Sequence, residues 1–468
     1  MSIQNIFDRI WSIFAFGLSL YFCGCLNQNI GVNCDTISEY ASFEGKLTPV
    51  WSIPFPAVTI CPETKSYKEK LNITDAFHRL MEQKNMTEEE LLQMQSVLQI
   101  CDPHLTENFS LDQEFASNDI YSIIKNLAPN MFDTLFYCKW RNKFSFCYEH
   151  YKPVLTEEGL CFTFNALDPW DIYTDEMAKD IMIPTNKENY NEIYPHRGYV
   201  GGAKSGLFTL LRLYEENMDY VCRGPVQGFK VLLHHPAEVP QISKYYFRVP
   251  LSQEVLVSVK PQMITTSEKL QDYSAERRQC YFKDERQLRF FKVYTQRNCE
   301  LECLSNFTKN ECGCVKFSMP RDTDTPICGF DKIKCYQDAE DTLYEKVFVE
   351  GLKNVHSVAT GCNCMPSCTS ISYDADISEA NFSWEELFGA FKNPLDEFNV
   401  MGLSRLSIFF KEPHFMTLKR SELLGPTDST QTQEFSGSEN SVEDRKDTNI
   451  SDNLVWDDIA TSTEENSL

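Results

Sequence analysis

The chain has 468 residues, with 68 Asp and Glu against 44 Lys and Arg, a formal net charge of −24, and 33 Phe with 21 Tyr. That length and aromatic content can fill a large core, in one domain or in two or three, and the negative balance argues against nucleic acid, whose phosphates want a basic partner. Ten of the 19 cysteines fall between Cys280 and Cys368, a density that reducing cytosol does not normally support as disulfides.

In chain order, Ile10 to Leu26 carries no charge and follows Arg9. It is at the short end of what crosses a bilayer. A cleaved signal peptide is the competing reading, but no small-x-small cleavage site follows. The expectation is an uncleaved anchor over residues 10–30, with residues 1–9 cytoplasmic and residues 31–424 outside. Next, two prolines and Ala57-Val-Thr-Ile60 predict an extended run into an edge strand.

From Thr74 to Leu127 the pattern turns helical. Thr87-x-x-Glu90 has the form of a capping box ahead of Leu91, Leu92, Met94, Val97 and Leu98. Ile120, Ile123, Ile124 and Leu127 recur at helical spacing, and both faces are expected to pack a core. Cys138 and Cys147 bracket a short basic-aromatic loop, and Gly159 to Asn165 reads as a buried strand. Strand signals then dominate: Leu207–Leu213, the alternation Phe229/Val231/Leu233, Val255/Val257/Val259, and later Leu406/Ile408/Phe410. Grouped helices and strands scattered in sequence predict an α+β fold with a non-local sheet.

Gly198-x4-Ala203-Lys204-Ser205 approaches a phosphate-binding loop, but alanine stands in place of the last glycine and no buried strand precedes it. No HExxH, H-x-E or G-x-S-x-G pattern occurs, so no enzyme is expected. Residues 426–468 hold eleven Asp and Glu and two Lys and Arg, the composition of a solvated, disordered tail over residues 425–468.

In the cysteine cluster, Cys299 and Cys303 stand one helical turn apart, and Cys362 and Cys364 share one face of an extended segment. A helix beside a strand could be riveted by two such rungs. Cys312, Cys314, Cys328 and Cys335 suggest an inner pair of crosslinks, and Cys280 with Cys368 would close the outside. Zinc is the rival reading of C-x-C and C-x3-C. The sequons at Asn72, Asn85, Asn108, Asn306, Asn381 and Asn449 favour an extracellular, glycosylated chain and hence disulfides.

Three stretches carry a family resemblance: Phe55-Pro-Ala-Val-Thr-Ile-Cys-Pro-Glu-Thr-Lys65, Gly159-Leu-Cys-Phe-Thr-Phe-Asn165, and the cluster through Met365-Pro-Ser-Cys368. Together they resemble the degenerin/epithelial sodium channel (DEG/ENaC) superfamily. Cys280-Tyr-Phe, Asn298-Cys-x3-Cys303, Cys312-Gly-Cys314 and Pro320-Arg321 narrow the likeness to the pickpocket subfamily. The resemblance covers about Ile10 to Gly425. It implies a subunit of a trimeric, amiloride-sensitive sodium channel of the plasma membrane, gated by ligand or force, with homologous subunits as partners and sodium as the ion. It also implies two membrane helices and a fist-like extracellular domain of palm, β-ball, finger, knuckle and thumb, the thumb being residues 280–368. The family's pairing would be Cys61–Cys161, Cys138–Cys147, Cys280–Cys368, Cys299–Cys364, Cys303–Cys362, Cys312–Cys335 and Cys314–Cys328. Cys23, Cys25, Cys34, Cys101 and Cys222 are left over, with Cys101–Cys222 a candidate extra bridge. No catalytic residue, metal or cofactor is implied.

Two departures bear on function. The family's amino-terminal His-Gly motif is absent from residues 1–9. Leu418 to Gly425 resembles the approach to a second membrane helix, yet Pro426-Thr-Asp-Ser-Thr-Gln follows, and the Gly-x-Ser filter is missing. The expectation is a subunit that does not conduct on its own. The alternative is a single-pass or secreted ectodomain acting as decoy, chaperone or dominant-negative regulator of related subunits.

Overall fold

The computed structural model describes residues 16–19, 21–22, 40–82, 84–102, 119–179, 194–353, 362–391 and 401–421. Its thirteen named strands are β1 (Tyr40–Pro49), β2 (Ala57–Pro62), β3 (Leu135–Trp140), β4 (Lys143–Ser145), β5 (Tyr151–Thr156), β6 (Gly159–Phe164), β7 (Leu207–Tyr214), β8 (Phe229–His234), β9 (Phe247–Val249), β10 (Gln253–Thr266), β11 (Ser370–Asn381), β12 (Met401–Phe410) and β13 (His414–Ser421). The larger sheet runs β1-β13-β10-β12-β7-β3-β4, with β11 on the other side of β10; the smaller runs β5-β6-β2-β8-β9. The longer helices are α1 (Ile73–Met81), α2 (Glu88–Leu98), α3 (Ile120–Leu127), α4 (Gln296–Cys312), α5 (Ile333–Lys353) and α6 (Trp384–Ala390). The mixed α+β class is as expected.

The main core lies between the two sheets. β7 alternates buried and half-buried along its length, the mark of a strand covered on one face. Phe55 is the hub, with ring centroids 5.0 Å from Trp140, 5.2 Å from Phe410 and 6.1 Å from Phe164. Two quoted motifs meet there: Asn165 Nδ2 donates to Phe55 O at 2.6 Å, and β2 pairs with β6 in the register Val58↔Phe164.

The structure corrects the expectation for β2. It is the central strand of the smaller sheet, paired on both sides and buried throughout, rather than an edge. Pro54 and Pro56 precede it and Pro62 is its last residue, so no proline lacks an N–H inside the ladder. The alternation read in β8 is likewise only partial, because Lys230, Leu232 and His234 are buried beside Phe229 and Val231. Both faces of that strand are covered.

The helical block packs Ile73, Ala76, Met94, Val97, Ile120 and Ile124 into one core shared with Phe317, Ile327, Phe330, Ile333 and Tyr336 from the loop before α5 and the start of α5. At the start of α2 the Thr87 and Glu90 side chains each bond the other's backbone N–H, at 3.2 Å both ways, satisfying two otherwise orphaned donors. Between Cys138 and Cys147 the chain makes a two-residue hairpin at Arg141 and Asn142, both at positive φ, the backbone that matches strand twist.

The near-phosphate loop at Gly198 packs against the turn after β12. A Cβ on Gly206 would lie 2.1 Å from Ile408 O, and one on Gly201 2.8 Å from the Glu412 backbone. Its glycines serve close approach, and Ser205 Oγ donates to Val200 O and Gly202 O.

Among the described residues no helix is long and apolar enough to cross a membrane. Most of the anchor expected over residues 10–30 and the whole acidic tail lie outside the described residues.

Candidate functional site: a crosslinked lever and its root

Residues 280–368 build an arm of two helices. Thr295 caps α4 by accepting from Asn298 N at 3.1 Å, and Gly313, left-handed at φ 74°, ends it. Cys312 bonds Cys335 at the start of α5, Leu304 packs with Leu343, and Lys346 lies 4.5 Å over the Phe307 ring. The end of α4 meets the start of α5 at Cys312–Cys335 while its middle meets the middle of α5, so the pair is antiparallel. The helices bury few large side chains, so crosslinks supply most of the stiffness. Cys299–Cys364 and Cys303–Cys362, with Cα separations of 5.7 and 5.9 Å, rivet α4 to the returning segment ahead of β11; that segment is not the extended run expected, since Cys362 lies in a turn and Asn363 between the two cysteines is left-handed at φ 50°. Cys314–Cys328 at 5.0 Å closes the loop between the helices, and Cys280–Cys368 at 4.9 Å closes the arm at its base.

The root of the arm is welded to the larger sheet. Tyr281 N donates to Pro366 O at 3.0 Å and Cys368 N to Tyr281 O at 2.8 Å. Thr266 Oγ1, at the end of β10, donates to Cys368 O at 2.7 Å. Arg278 is 1% exposed. Its Nε donates to Cys280 O at 3.1 Å, its Nη1 donates to both Tyr273 O and Gln271 O, and its Nη2 pairs with Glu285. Burying a guanidinium is costly unless hydrogen bonds and an opposite charge engage it, as these do. Ser267 N donates to Arg420 O at 2.9 Å, which ties the same root to β13. β13 pairs with β1 from Tyr40↔Ser421 to Pro49↔His414. The base of the arm is thus joined through the end of β10 to β13, and through β13 to β1.

Where the smaller sheet meets the helical block, a buried charge network crosslinks five stretches of chain. Arg223 donates to Glu63 Oε2 at 2.8 Å, to Ile100 O at 3.0 Å and to Glu158 Oε2. Lys230 donates to Glu158 Oε1 at 2.8 Å, Arg248 to Glu63 Oε1 at 2.8 Å, and Lys65 lies 3.6 Å from Glu158. Burial alone would raise the Glu158 carboxyl; Lys65, Arg223 and Lys230 outweigh it and hold that pKa down at about 2. Burial, with Arg223 beside it, pushes Lys65 down to about 8. Cys61–Cys161 and Cys101–Cys222, with Cα separations of 4.4 and 4.7 Å, bracket the network. Sequence reasoning missed these charges, because isolated Glu and Lys residues show no period; Glu63 and Lys65, directly after a buried strand, were the one available sign.

Cys138 bonds Cys147, with a Cα separation of 5.2 Å. Of the sequons, Asn85 and Asn306 are exposed. Asn72 is half-buried and caps α1 by accepting from Asp75 N at 3.2 Å, and exposed Asn381 accepts from Gln253 at 2.9 Å. Asn108 and Asn449 lie outside the described residues, as do Cys23, Cys25 and Cys34.

A family model described as "Amiloride-sensitive sodium channel" matches residues 2–430. The chain is similar to Pickpocket protein 28 of Drosophila melanogaster, 26% identical across 91% of this chain and 69% of that protein. It is similar to the sodium channel protein Nach of Drosophila ananassae, 27% identical across 72% of this chain and 60% of that protein. Acid-sensing ion channel 2 of Homo sapiens is 23% identical across 86% of this chain and 73% of that protein.

Proposed function

The chain belongs to the amiloride-sensitive sodium channel family, and from that premise we propose that it is a subunit of a sodium channel of the plasma membrane, assembled as a trimer with copies of itself or with homologous subunits. In this reading the larger sheet is the palm, the smaller sheet the β-ball, α1–α3 the finger, α6 the knuckle and α4–α5 the thumb. The single observation that carries the gating role is the root of the arm, bonded to the end of β10 where that strand pairs with β13. Ligand or force acting on a stiff arm is passed to the β1/β13 pair, since a crosslinked element cannot absorb the motion itself. The pore is amiloride-sensitive in assemblies that supply it.

These 468 residues do not conduct alone in this reading. A sodium path needs polar groups lining a closed ring at membrane depth. Residues 426–468, with eleven acidic side chains against two basic, cannot enter hydrocarbon. The same observation favours a second role, as a regulator that occupies a subunit position or captures partner subunits.

The test is whole-cell recording from cells expressing these 468 residues, alone and beside a conducting relative. The expected outcome is no amiloride-sensitive current alone and an altered current amplitude beside the relative. A robust sodium current from the chain alone refutes the non-conducting reading, and an unchanged current from the relative refutes the regulatory one.

A further inference from the structure

A cleft of about 610 Å³ lies at the base of the arm. Three parts of the chain wall it: the loop after β8 with His235 and Glu238, the root of the arm with Phe282 and Tyr294, and the stretch from Pro366 into β11. That volume falls in the range of sites for small organic molecules. Phe282, Tyr294 and Ile371 give the cleft apolar surface, and Thr295, Ser367, Thr369 and Ser370 give it hydroxyls. Its charges are uneven, with Lys283, Lys292 and Arg297 against Glu238 and Asp284. Arg297 and Glu238 are already matched within the fold. They lie 3.5 Å apart, Arg297 sits 4.7 Å over the Tyr245 ring, and Glu238 accepts from His235 N at 3.3 Å. Lys292 donates to a neutral carbonyl, Trp170 O, at 2.7 Å, and neither it nor Lys283 forms an ion pair among the described residues. Both lysines are exposed, as are Thr369 and Ser372, and these four mark the mouth. On a chain of net charge −24, the cleft therefore offers two lysines against Asp284 alone.

We propose that this cleft is a binding site for a small organic anion, an aromatic carboxylate whose ring packs on Phe282, Tyr294 and Ile371 and whose charge meets Lys283 and Lys292. The ring surface supplies apolar burial, and ammonium–carboxylate bonds are among the stronger hydrogen bonds. The hydroxyls serve polar substituents of the ring. Cys368 stands between Ser367 and Thr369 and is bonded to Cys280, two residues before Phe282. That crosslink holds two of the walls together, so the cleft is pre-formed and binding orders little of it. An occupant touches the root of the arm and the entry to β11 at once, and so braces the arm against the larger sheet. The site goes beyond the channel-subunit reading, because binding belongs to one chain and needs neither assembly nor a pore.

The test is ligand-observed saturation-transfer NMR on the full-length chain in nanodiscs of neutral phospholipid. The probes are 6-hydroxy-2-naphthoate and its neutral amide, each titrated separately. The carboxylate is expected to bind about tenfold tighter than the amide or better. Lys283→Gln with Lys292→Gln, and separately Ser372→Trp, which fills the mouth, are each expected to weaken carboxylate binding about tenfold or more. Lys334→Gln, an exposed lysine of the arm outside the cleft, is expected to leave it unchanged, and melting temperatures report that each variant is folded. Absence of carboxylate binding, or equal binding of carboxylate and amide by the parent chain, overturns the proposal without recourse to any variant. Carboxylate binding that folded Ser372→Trp and the double lysine variant both retain overturns the placement in this cleft and the proposal with it.

Discussion

A single atom can decide a site where backbones touch. Gly206 meets Ile408 O at a distance that no Cβ tolerates, and the obstacle is backbone that cannot rotate away. Gly206→Ala is expected to lower the melting temperature and reduce secretion of folded protein; an unchanged melt would show that the strand shifts freely. The same scale governs the crosslinks. Cys303→Ser leaves Cys362 without its partner on the same rung, and losing a native disulfide costs about 2–5 kcal/mol. Surface expression of Cys303→Ser is expected to fall, as read by biotinylation. The i, i+4 spacing of Cys299 and Cys303 was legible because helix geometry alone puts them on one face. The charges of Glu63, Glu158 and Arg223 were not, because their neighbours come from segments up to 185 residues away.

At the level of elements, the arm and its root are distinct devices. The five bonds of the arm stiffen α4 and α5, whereas the root depends on hydrogen bonds and on one buried guanidinium. Arg278→Leu removes the donors that serve Cys280 O, Tyr273 O and Gln271 O, and leaves those carbonyls unsatisfied at a cost of about 1–3 kcal/mol each. The expected outcome is faster limited proteolysis between residues 267 and 287 with all five arm disulfides still formed. Equal cleavage rates would mean that the root is held elsewhere. Helices α2 and α3 were legible from the capping box and the apolar period, since both signals are local. The central place of β2 was not, because its flanking prolines suit either an edge or the ends of a central strand, and only the neighbouring strands β6 and β8 decide.

Across the whole molecule, stability should depend on acid through the buried network. The Glu158 pKa is depressed in the folded chain to about 2, against its ordinary value of 4.5. Between these values the unfolded chain binds the extra proton, so the stabilisation is fully present above about pH 4.5 and is lost as pH falls toward 2. Glu158→Gln is expected to be less stable near neutral pH and to show a flatter decline over that acid window, measured by denaturant unfolding of the full chain. A decline identical to the parent's would mean that other carboxylates dominate.

The amino-acid sequence by itself determined the cysteine-rich arm, the helical block and the family, because cysteine density, capping boxes and ordered motifs are written in contiguous residues. The tertiary structure alone decided that β2 is central, that buried Arg278 ties Gln271 and Tyr273 to Cys280 and Glu285 at the base of the arm, and that lone charges gather around Arg223; the Cys101–Cys222 bridge was a candidate in the sequence and is formed. Each of the features that the tertiary structure decided depends on burial that no local pattern records.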